Sequence, residues 1–331
     1  MYKKVFLILV SIIILCGCES KNEKVLNVLN WSSYIPDSVI HDFERKYHIK
    51  VNYGTYSSNE ELLAKVTSSK KGTYDVIFPS DYMIELMIQR NIIEKIDKTK
   101  ITNLKNINEV FLNQDYDKDN NYSLPFLSTI VVIAVNKDHI KDDIKSYNSL
   151  LDRKYKNNIV FLDDQRIVIG IGLLAKGYSM NEIDSFALDE SYKFLNNLKS
   201  NIKAYDSDSP KTFLITKEAD IGVMWNAEAE IAKSENNSID IIYPSEGHAI
   251  STDNYAIVKD AKNLDEAYLF IDYLLNIEVA ESIVEEYPYI SPLNIKQKSN
   301  IDIRDVFANG YYVKNIGQNI KEYDKLWARI K

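Results

Sequence analysis

From residue 25 onward, strand-length apolar runs alternate with amphipathic helical stretches. Val25 to Asn30 (VLNVLN) is an apolar run of strand length. Pro36 opens a helical pattern with Val39, Ile40, Phe43 and Tyr47 on one face; proline suits a first turn because it has no N–H to leave unpaired. Ile49 to Tyr53 (IKVNY) alternates with the period of two that marks a half-buried strand. Ser58-Asn59-Glu60-Glu61 reads as a cap and acidic first turn ahead of Leu62, Leu63 and Val66. Gly72 ends that unit, Tyr74 to Phe78 predicts the next strand, and Pro79-Ser80-Asp81 leads into a helix carrying Ile84, Met87 and Ile88. This β-α-β-α-β order predicts a parallel sheet, with ligand loops beyond the C-terminal ends of its strands. Those loops hold Trp31-Ser32-Ser33-Tyr34 and Ser80-Asp81-Tyr82.

The middle of the chain repeats the style. Ile130 to Val135 predicts a buried strand, and Ile159 to Leu162 another that ends at Asp163-Asp164. Ile221 to Trp225 follows an amphipathic helix around Tyr192 to Leu198. Ile239 to Tyr243 and Tyr255 to Val258 read as strands, and helices are expected near Leu264 to Asn276 and over Ile277 to Glu286. Two α/β lobes fit this pattern: 25–127 with about 252–297, and 128–251 with about 298–331. No internal repeat or long linker interrupts them.

The first segment is a different kind of object. Lys3 and Lys4 precede an apolar stretch, Val5 to Leu15, that is too short to span a bilayer comfortably. It ends in Leu15-Cys16-Gly17-Cys18, which resembles a bacterial lipobox, although Cys16 stands where Ala or Ser is usual. The expectation is a signal peptide over 1–17, a lipid on Cys18, and a polar tether over 18–24. A cleaved secretory signal that merely contains cysteine is the plainer alternative. Both cysteines of the chain lie here, so no disulfide is expected in the body. The body would then be held by its N-terminus to the periplasmic or other extracytoplasmic face of a bacterial membrane.

Composition narrows the partners. Of 331 residues, 45% are apolar and 27% charged, a globular balance. Forty Lys and Arg face 48 Asp and Glu, giving a formal charge of −8 that becomes −10 without Lys3 and Lys4. An acidic chain without a basic block is a poor nucleic-acid binder, because displacing phosphate counterions takes Lys and Arg. A cationic ligand fits better. The 23 tyrosines supply π-faces and hydroxyls together.

Conventional catalytic and metal motifs fail on inspection. Gly170-Ile171-Gly172-Leu173-Leu174-Ala175 has the dinucleotide spacing. However, Asp163-Asp164 would repel a pyrophosphate there, and the glycines fall inside a predicted helix, where they allow close packing. Asp115, Asp117 and Asp119 have EF-hand spacing, but Asn120 replaces the required Gly and Phe126 the bidentate Glu, so a solvated turn is expected. The four histidines (41, 48, 139, 248) are isolated, which disfavours zinc. With no G-x-S-x-G or P-loop either, neither enzyme chemistry, a metal nor a cofactor is expected. Instead, Trp31, Tyr34, Tyr82, Trp225 and Tyr289 sit at predicted loops together with Asp164, Glu228 and Asp253. Any one aromatic at a strand end can be a core lid; the combination points to a binding site.

A series of segments then matches one family in order. It comprises Asn30-Trp31-Ser32-Ser33-Tyr34-Ile35-Pro36, Phe43-Glu44 with Ile49-Lys50-Val51, Ser57-Ser58-Asn59-Glu60, and Tyr74-Asp75-Val76-Ile77-Phe78-Pro79-Ser80. It continues with Tyr122-Ser123-Leu124-Pro125-Phe126, Phe161-Leu162-Asp163-Asp164 with Arg166, Met224-Trp225-Asn226, Ser245-Glu246-Gly247 and Tyr289-Ile290-Ser291-Pro292. Over nearly its whole mature length the chain resembles the spermidine/putrescine-binding proteins of bacterial polyamine ABC transporters. The resemblance implies a two-lobe periplasmic-binding-protein type II fold that closes on ligand at a hinged cleft. It implies that Trp31, Tyr34, Trp225 and Tyr289 box the methylene chain and ammonium groups, that Ser32, Ser80 and Tyr82 hydrogen-bond, and that Asp164 and Asp253 pair with amine nitrogens. Glu228 matches an acid of the putrescine-preferring members. Ser33, Ile167, Ser251 and Val313 depart from the family at ligand positions, so the carboxylate map matches neither variant. Delivery to an ABC permease by a monomeric protein is the implied role. Two alternatives share the fold: another solute such as ferric ion, for which Tyr311-Tyr312 is the candidate pair, and a surface adhesin or sensor.

Overall fold

The computed structural model describes residues 24–32, 34–207, 209–297 and 302–331. In chain order the elements are β1 (Lys24–Trp31), α1 (Asp37–Tyr47), β2 (Ile49–Tyr56), α2 (Asn59–Ser68), β3 (Val76–Ile77), α3 (Asp81–Gln89) and β4 (Ser123–Asn136). They continue with β5 (Ile159–Phe161), α4 (Gln165–Ala175), α5 (Ser185–Leu198), β6 (Ile202–Tyr205), α6 (Pro210–Ile215), β7 (Ile221–Trp225), α7 (Asn226–Glu235) and β8 (Ile239–Ile242). The last are β9 (His248–Ile257), α8 (Leu264–Leu274), α9 (Ile277–Glu286), α10 (Ile303–Ala308), β10 (Gly310–Tyr312) and α11 (Ile320–Ile330).

Local chemistry sets the helix starts. Ser58 Oγ accepts the Glu61 N–H at 3.1 Å, and the Glu61 carboxylate reaches back to the Ser57 N–H at 2.8 Å, so two otherwise orphaned donors at the start of α2 are satisfied. Asp164 Oδ1 caps α4 through the Ile167 N–H at 2.9 Å. Pro36 stands at the cap of α1 rather than inside it, and its carbonyl accepts from Val39 and Ile40. At the other end of α1, His48 takes the left-handed conformation (φ 55°) that closes a helix.

The described strands form one sheet in the order β2-β1-β3-β9-β4-β7-β5-β6, with β10 against β9 and β8 against β4. β1 is parallel to β2 and β3, as the β-α-β pattern predicts. β4 is the spine. All fourteen of its residues are buried, which explains its nearly unbroken apolar run. Up to Ile130 it pairs antiparallel with β9; from Val131 it pairs with β7 instead. The sheet therefore has two halves that share this strand, and the change of partner opens a cleft between them.

Several expected boundaries move. β4 begins at Ser123, seven residues before the expected strand, because Pro125 and the polar Ser128 and Thr129 mask its start; the register shifts between Pro125 and Leu127. β9 begins at His248 rather than Tyr255, for the same reason: Ser251, Thr252, Asp253 and Asn254 are polar yet buried or half-buried. β3 keeps only Val76–Ile77 of its expected run, since the Asp75 carboxylate takes donors from Asn27, Lys262 and Asn263. α8 stops at Leu274, short of Asn276, which caps α9.

Gly170 and Gly172 lie inside α4, where a Cβ at Gly170 would come within 2.6 Å of Met180 Cε and one at Gly172 would strike Ser191 Oγ. Gly172 thus serves packing of α4 against α5, and Gly170 packing against Met180 in the segment between them. The Asp115–Asp119 segment is a turn in which Asp117 accepts the N–H groups of Asn121, Tyr122 and Ser123. No group of His, Cys, Asp and Glu among the described residues could hold a metal ion, and no described helix is long and apolar enough to cross a membrane. The lipidation candidate Cys18 and the family departure Ser33 lie outside the described residues.

Candidate functional site: a carboxylate-rich cleft between the sheet halves

The ends of β1, β3, β5, β7 and β9 converge, with the segment after α9, on a cavity of about 770 Å³. All ten candidate ligand residues line it: Trp31, Ser32, Tyr34, Ser80, Tyr82, Asp164, Trp225, Glu228, Asp253 and Tyr289. Ile167, Ser251 and Val313 line it as well.

Asp253 anchors one wall. It is only 3% exposed. Its Oδ1 accepts from Ser80 Oγ at 2.6 Å and from Trp31 Nε1 at 3.1 Å; the same indole N–H also reaches the Phe78 carbonyl at 3.0 Å. Burial pushes the Asp253 carboxyl up to about 6, against the pull of its donors Ser80, Tyr34 and Trp31. Among the described residues no cationic side chain pairs with this dry carboxylate, and a cation is the partner that a buried charge requires. The aromatic surround continues outward. Tyr34 hydrogen-bonds Asp253, and its ring centroid lies 4.6 Å from that of Tyr289 and 6.3 Å from that of Trp31. Trp31 is backed by Tyr56 at 4.6 Å, whose hydroxyl is tied to the Phe78 carbonyl. Burial, together with the charge of Asp253, drives the Tyr34 hydroxyl well above its usual pKa, so it stays a neutral donor.

Ser80 lines the cavity and lies against the Asp253 carboxylate. Its hydroxyl donates to Asp253 and accepts from Asn59 Nδ2 at 3.1 Å, so it orients the carboxylate. Next to it, Asp81 is buried and accepts the N–H groups of Tyr82 and Thr252. Burial raises the Asp81 carboxyl to about 8.

Asp164 and Tyr82 form a second group in the lining, close enough for the Asp164 charge to act on the Tyr82 hydroxyl. Asp164 is open to the cavity, yet the surrounding protein excludes enough water to raise its carboxyl, against the pull of its backbone donors and of Arg166. The Tyr82 hydroxyl donates to Glu60 at 3.2 Å. Arg166 also lines the cavity; its guanidinium donates to Asn181 and to the Lys314 carbonyl and lies 5.0 Å over the Tyr323 ring.

Near the Tyr289 end stands Glu228, in the first turn of α7, which starts directly after Trp225. Its carboxylate is taken by Lys211 Nζ at 2.7 and 2.8 Å. Nothing in the sequence pattern singles out Lys211 among forty basic residues, because it meets Glu228 only through the packing of α6 on α7. Glu60 and Asn59 were legible only as the start of a helix, and Asp81 only as a loop residue. The ferric pair is not assembled here: Tyr311 is 40% exposed on β10, Tyr312 packs on Tyr116 and Phe307, and neither lines the cleft.

Residues 38–298 match the model of a bacterial extracellular solute-binding protein family. The chain belongs to that family. This solute-binding protein is 31% identical over 326 residues to the spermidine/putrescine-binding periplasmic protein of Escherichia coli (strain K12), covering 95% of this chain and 94% of the other. It is 28% identical to a putrescine/cadaverine-binding protein of Pseudomonas aeruginosa, covering 85% and 82%. Among solved structures, a Streptococcus pneumoniae spermidine/putrescine ABC transporter substrate-binding protein superposes with a TM-score of 0.83 at 29% identity, covering 93% and 98%. A Treponema pallidum lipoprotein superposes at 0.86 and 26%, covering 93% and 99%. The two-lobe type II fold and the family resemblance expected from the sequence are borne out. Membership in this extracellular family places the solute-binding protein outside the cytoplasm.

Proposed function

We propose that this protein captures polyamines in the cleft and delivers them to an ABC permease without chemistry of its own. The observation that carries this reading is Asp253: a buried carboxylate, oriented by Ser80 and Trp31, raised in pKa by dehydration, and beside a cluster of the Trp31, Tyr34 and Tyr289 rings. A ligand ammonium supplies the missing countercharge, and aromatic faces add about 0.5–2 kcal/mol per cation while packing the methylene spacer. The names of the Escherichia coli and Pseudomonas aeruginosa relatives point to the same ligand class.

The lobes divide as 25–127 with about 252–297, and 128–251 with about 298–331, a split supported by the change of partner along β4 at Ile130 and Val131. The chain is tethered by a lipid on Cys18 and acts as a monomer; the lipoprotein nature of the Treponema pallidum neighbour favours the tether. Calorimetry on the form beginning after Cys18, unfolded and refolded to strip ligand, tests the function. Titrated with putrescine, cadaverine, spermidine and spermine, it is expected to bind at least one at micromolar or tighter affinity. Binding of none overturns the ligand class and leaves a different solute or an adhesin or sensor role.

A further inference from the structure

Asp81 and Arg166 both line the cleft, and they stand on opposite halves of the sheet. Asp81 opens α3, after β3, and Arg166 lies in the first turn of α4, after β5. The Asp81 carboxylate is 1% exposed and accepts two backbone N–H groups, of Tyr82 at 2.7 Å and of Thr252 at 3.2 Å. No cationic side chain among the described residues hydrogen-bonds it. The Arg166 guanidinium is fixed on its own half by Asn181 at 3.1 Å, the Lys314 carbonyl at 2.9 Å and the Tyr323 ring. Its Nε is buried without an acceptor among the described residues. A buried acid without a cation and a buried guanidinium N–H without an acceptor each carry a desolvation cost, and each is what the other lacks. They are already near enough that the charge of each favours the charged form of the other.

The other charges around them bias that meeting. Arg166 has Asp164 two residues before it, and the Asp164 charge acts on the guanidinium. Asp81 has Asp253 close by, and the Asp253 charge disfavours a second charge there. The remaining charged lining residues are engaged elsewhere or face water: Glu228 is paired with Lys211, Asp163 with Lys331, Glu60 accepts from Tyr82, and Glu286 is exposed. In the empty cleft Asp164 thus keeps the guanidinium's charge on its own half, while Asp253 opposes ionisation of Asp81. A ligand ammonium at Asp164 repels the guanidinium, and one at Asp253 cancels the opposition to Asp81. Both ligand contacts favour the same new contact across the cleft.

Resting on the polyamine reading, we propose that Arg166 and Asp81 form an interlobe clasp. Ligand ammonium groups at Asp164 and Asp253 free the guanidinium to pair with the Asp81 carboxylate across the cleft, so ligand capture and lobe closure are one coupled step. The clasp needs Asp81 ionised, whereas burial holds its carboxyl up at about 8. Closure near neutral pH therefore breaks the Asp81 O–H bond, gives that proton to solvent, and forms a charge-assisted hydrogen bond from Arg166 in its place.

The test is calorimetry on ligand-stripped wild type, Asp81→Asn, Arg166→Gln and the double variant. The ligand is whichever of putrescine, cadaverine, spermidine and spermine binds wild type most tightly. Each single variant is expected to lose about tenfold or more in affinity, and the double variant to lie within about threefold of the weaker single, because one clasp is lost once. Titration at pH 7.5 in phosphate and in Tris, whose ionisation heats differ, should show a net proton release by wild type that Asp81→Asn lacks. Asp253, at about 6, is already ionised there and does not contribute. Losses that multiply in the double variant, or equal proton release by wild type and Asp81→Asn, overturn the clasp and leave the polyamine function standing. Wild type that binds none of the four amines overturns both. Should Arg166→Gln fail to fold by circular dichroism, small-angle scattering of Asp81→Asn decides. Its radius of gyration should contract less on saturation with ligand than that of wild type, and an equal contraction overturns the clasp.

Discussion

Replacing Asp253 with Asn separates a ligand-binding carboxylate from a structural one, because the two roles move stability in opposite directions. Asn is nearly isosteric, and its Oδ1 can still accept from Ser80 and Trp31, so the local packing survives. Folding holds the Asp253 carboxyl at about 6, roughly two units above an ordinary aspartate. That shift corresponds to about 3 kcal/mol of destabilisation of the ligand-free protein once the group is ionised in both states. The sign follows from the proton count. Between an ordinary aspartate's pKa and about 6 the folded state binds more protons, so the stability this group contributes at low pH is lost as pH rises through 6. Ligand-free Asp253→Asn should therefore match or exceed wild-type Tm at pH 8, with the gap closing toward pH 4. Affinity should go the other way. An unpaired, desolvated ammonium costs about 2–5 kcal/mol, a loss of roughly 30-fold to several thousandfold in Kd. Calorimetry with the polyamine that binds wild type, alongside thermal unfolding of the ligand-free proteins at pH 5 and 8, reads both quantities. Affinity within threefold of wild type, or a ligand-free Tm that falls in step with affinity, would refute the reasoning.

Other outcomes follow from the same geometry. Polyamine affinity should fall by about tenfold per pH unit below 6, since the ligand stays protonated while Asp253 takes up a proton; a flat wild-type profile between pH 5 and 8 would contradict this. Asn59→Ala should weaken ligand binding severalfold, because it frees the Ser80 hydroxyl that orients Asp253, and should lower Tm as well, because the buried Ser80 N–H loses its acceptor; unchanged calorimetry would count against that orienting role. Trp225→Ala should cost on the order of tenfold in affinity through the lost cation–π and spacer contact, and an unaltered Kd would remove it from the box. Gly172→Ala should lower stability by about 1–3 kcal/mol by forcing α4 from Ser191 and Leu195 of α5, with polyamine affinity of the folded fraction preserved; an unchanged Tm would show that α5 yields freely.

Much of this protein is written locally. The caps at Ser58 and Asp164, the helical face of Val39, Ile40 and Phe43, and the apolar runs of β1 and β7 are short-range signals, because helix and strand periods and N-cap hydrogen bonds span only a few residues. The aromatic and acidic residues clustered at predicted strand ends were legible for the same reason: a β-α-β order already says where ligand loops gather. Legibility stopped where polar residues face protein. The starts of β4 and β9 were missed because Ser, Thr, Asp and Asn there are buried by partners from distant chain segments.

Only the tertiary structure decided what each candidate site residue touches. Asp253 and Trp31, 222 residues apart, meet through the sheet, and burial rather than residue type raises that carboxyl. Ser80 turns its hydroxyl onto that carboxylate and orients it. Glu228 reads in the sequence as a free acid, yet Lys211 from a neighbouring helix already holds it. Charge balance in a cleft is a sum over side chains brought together from the whole chain at low dielectric. No local window of sequence contains that sum.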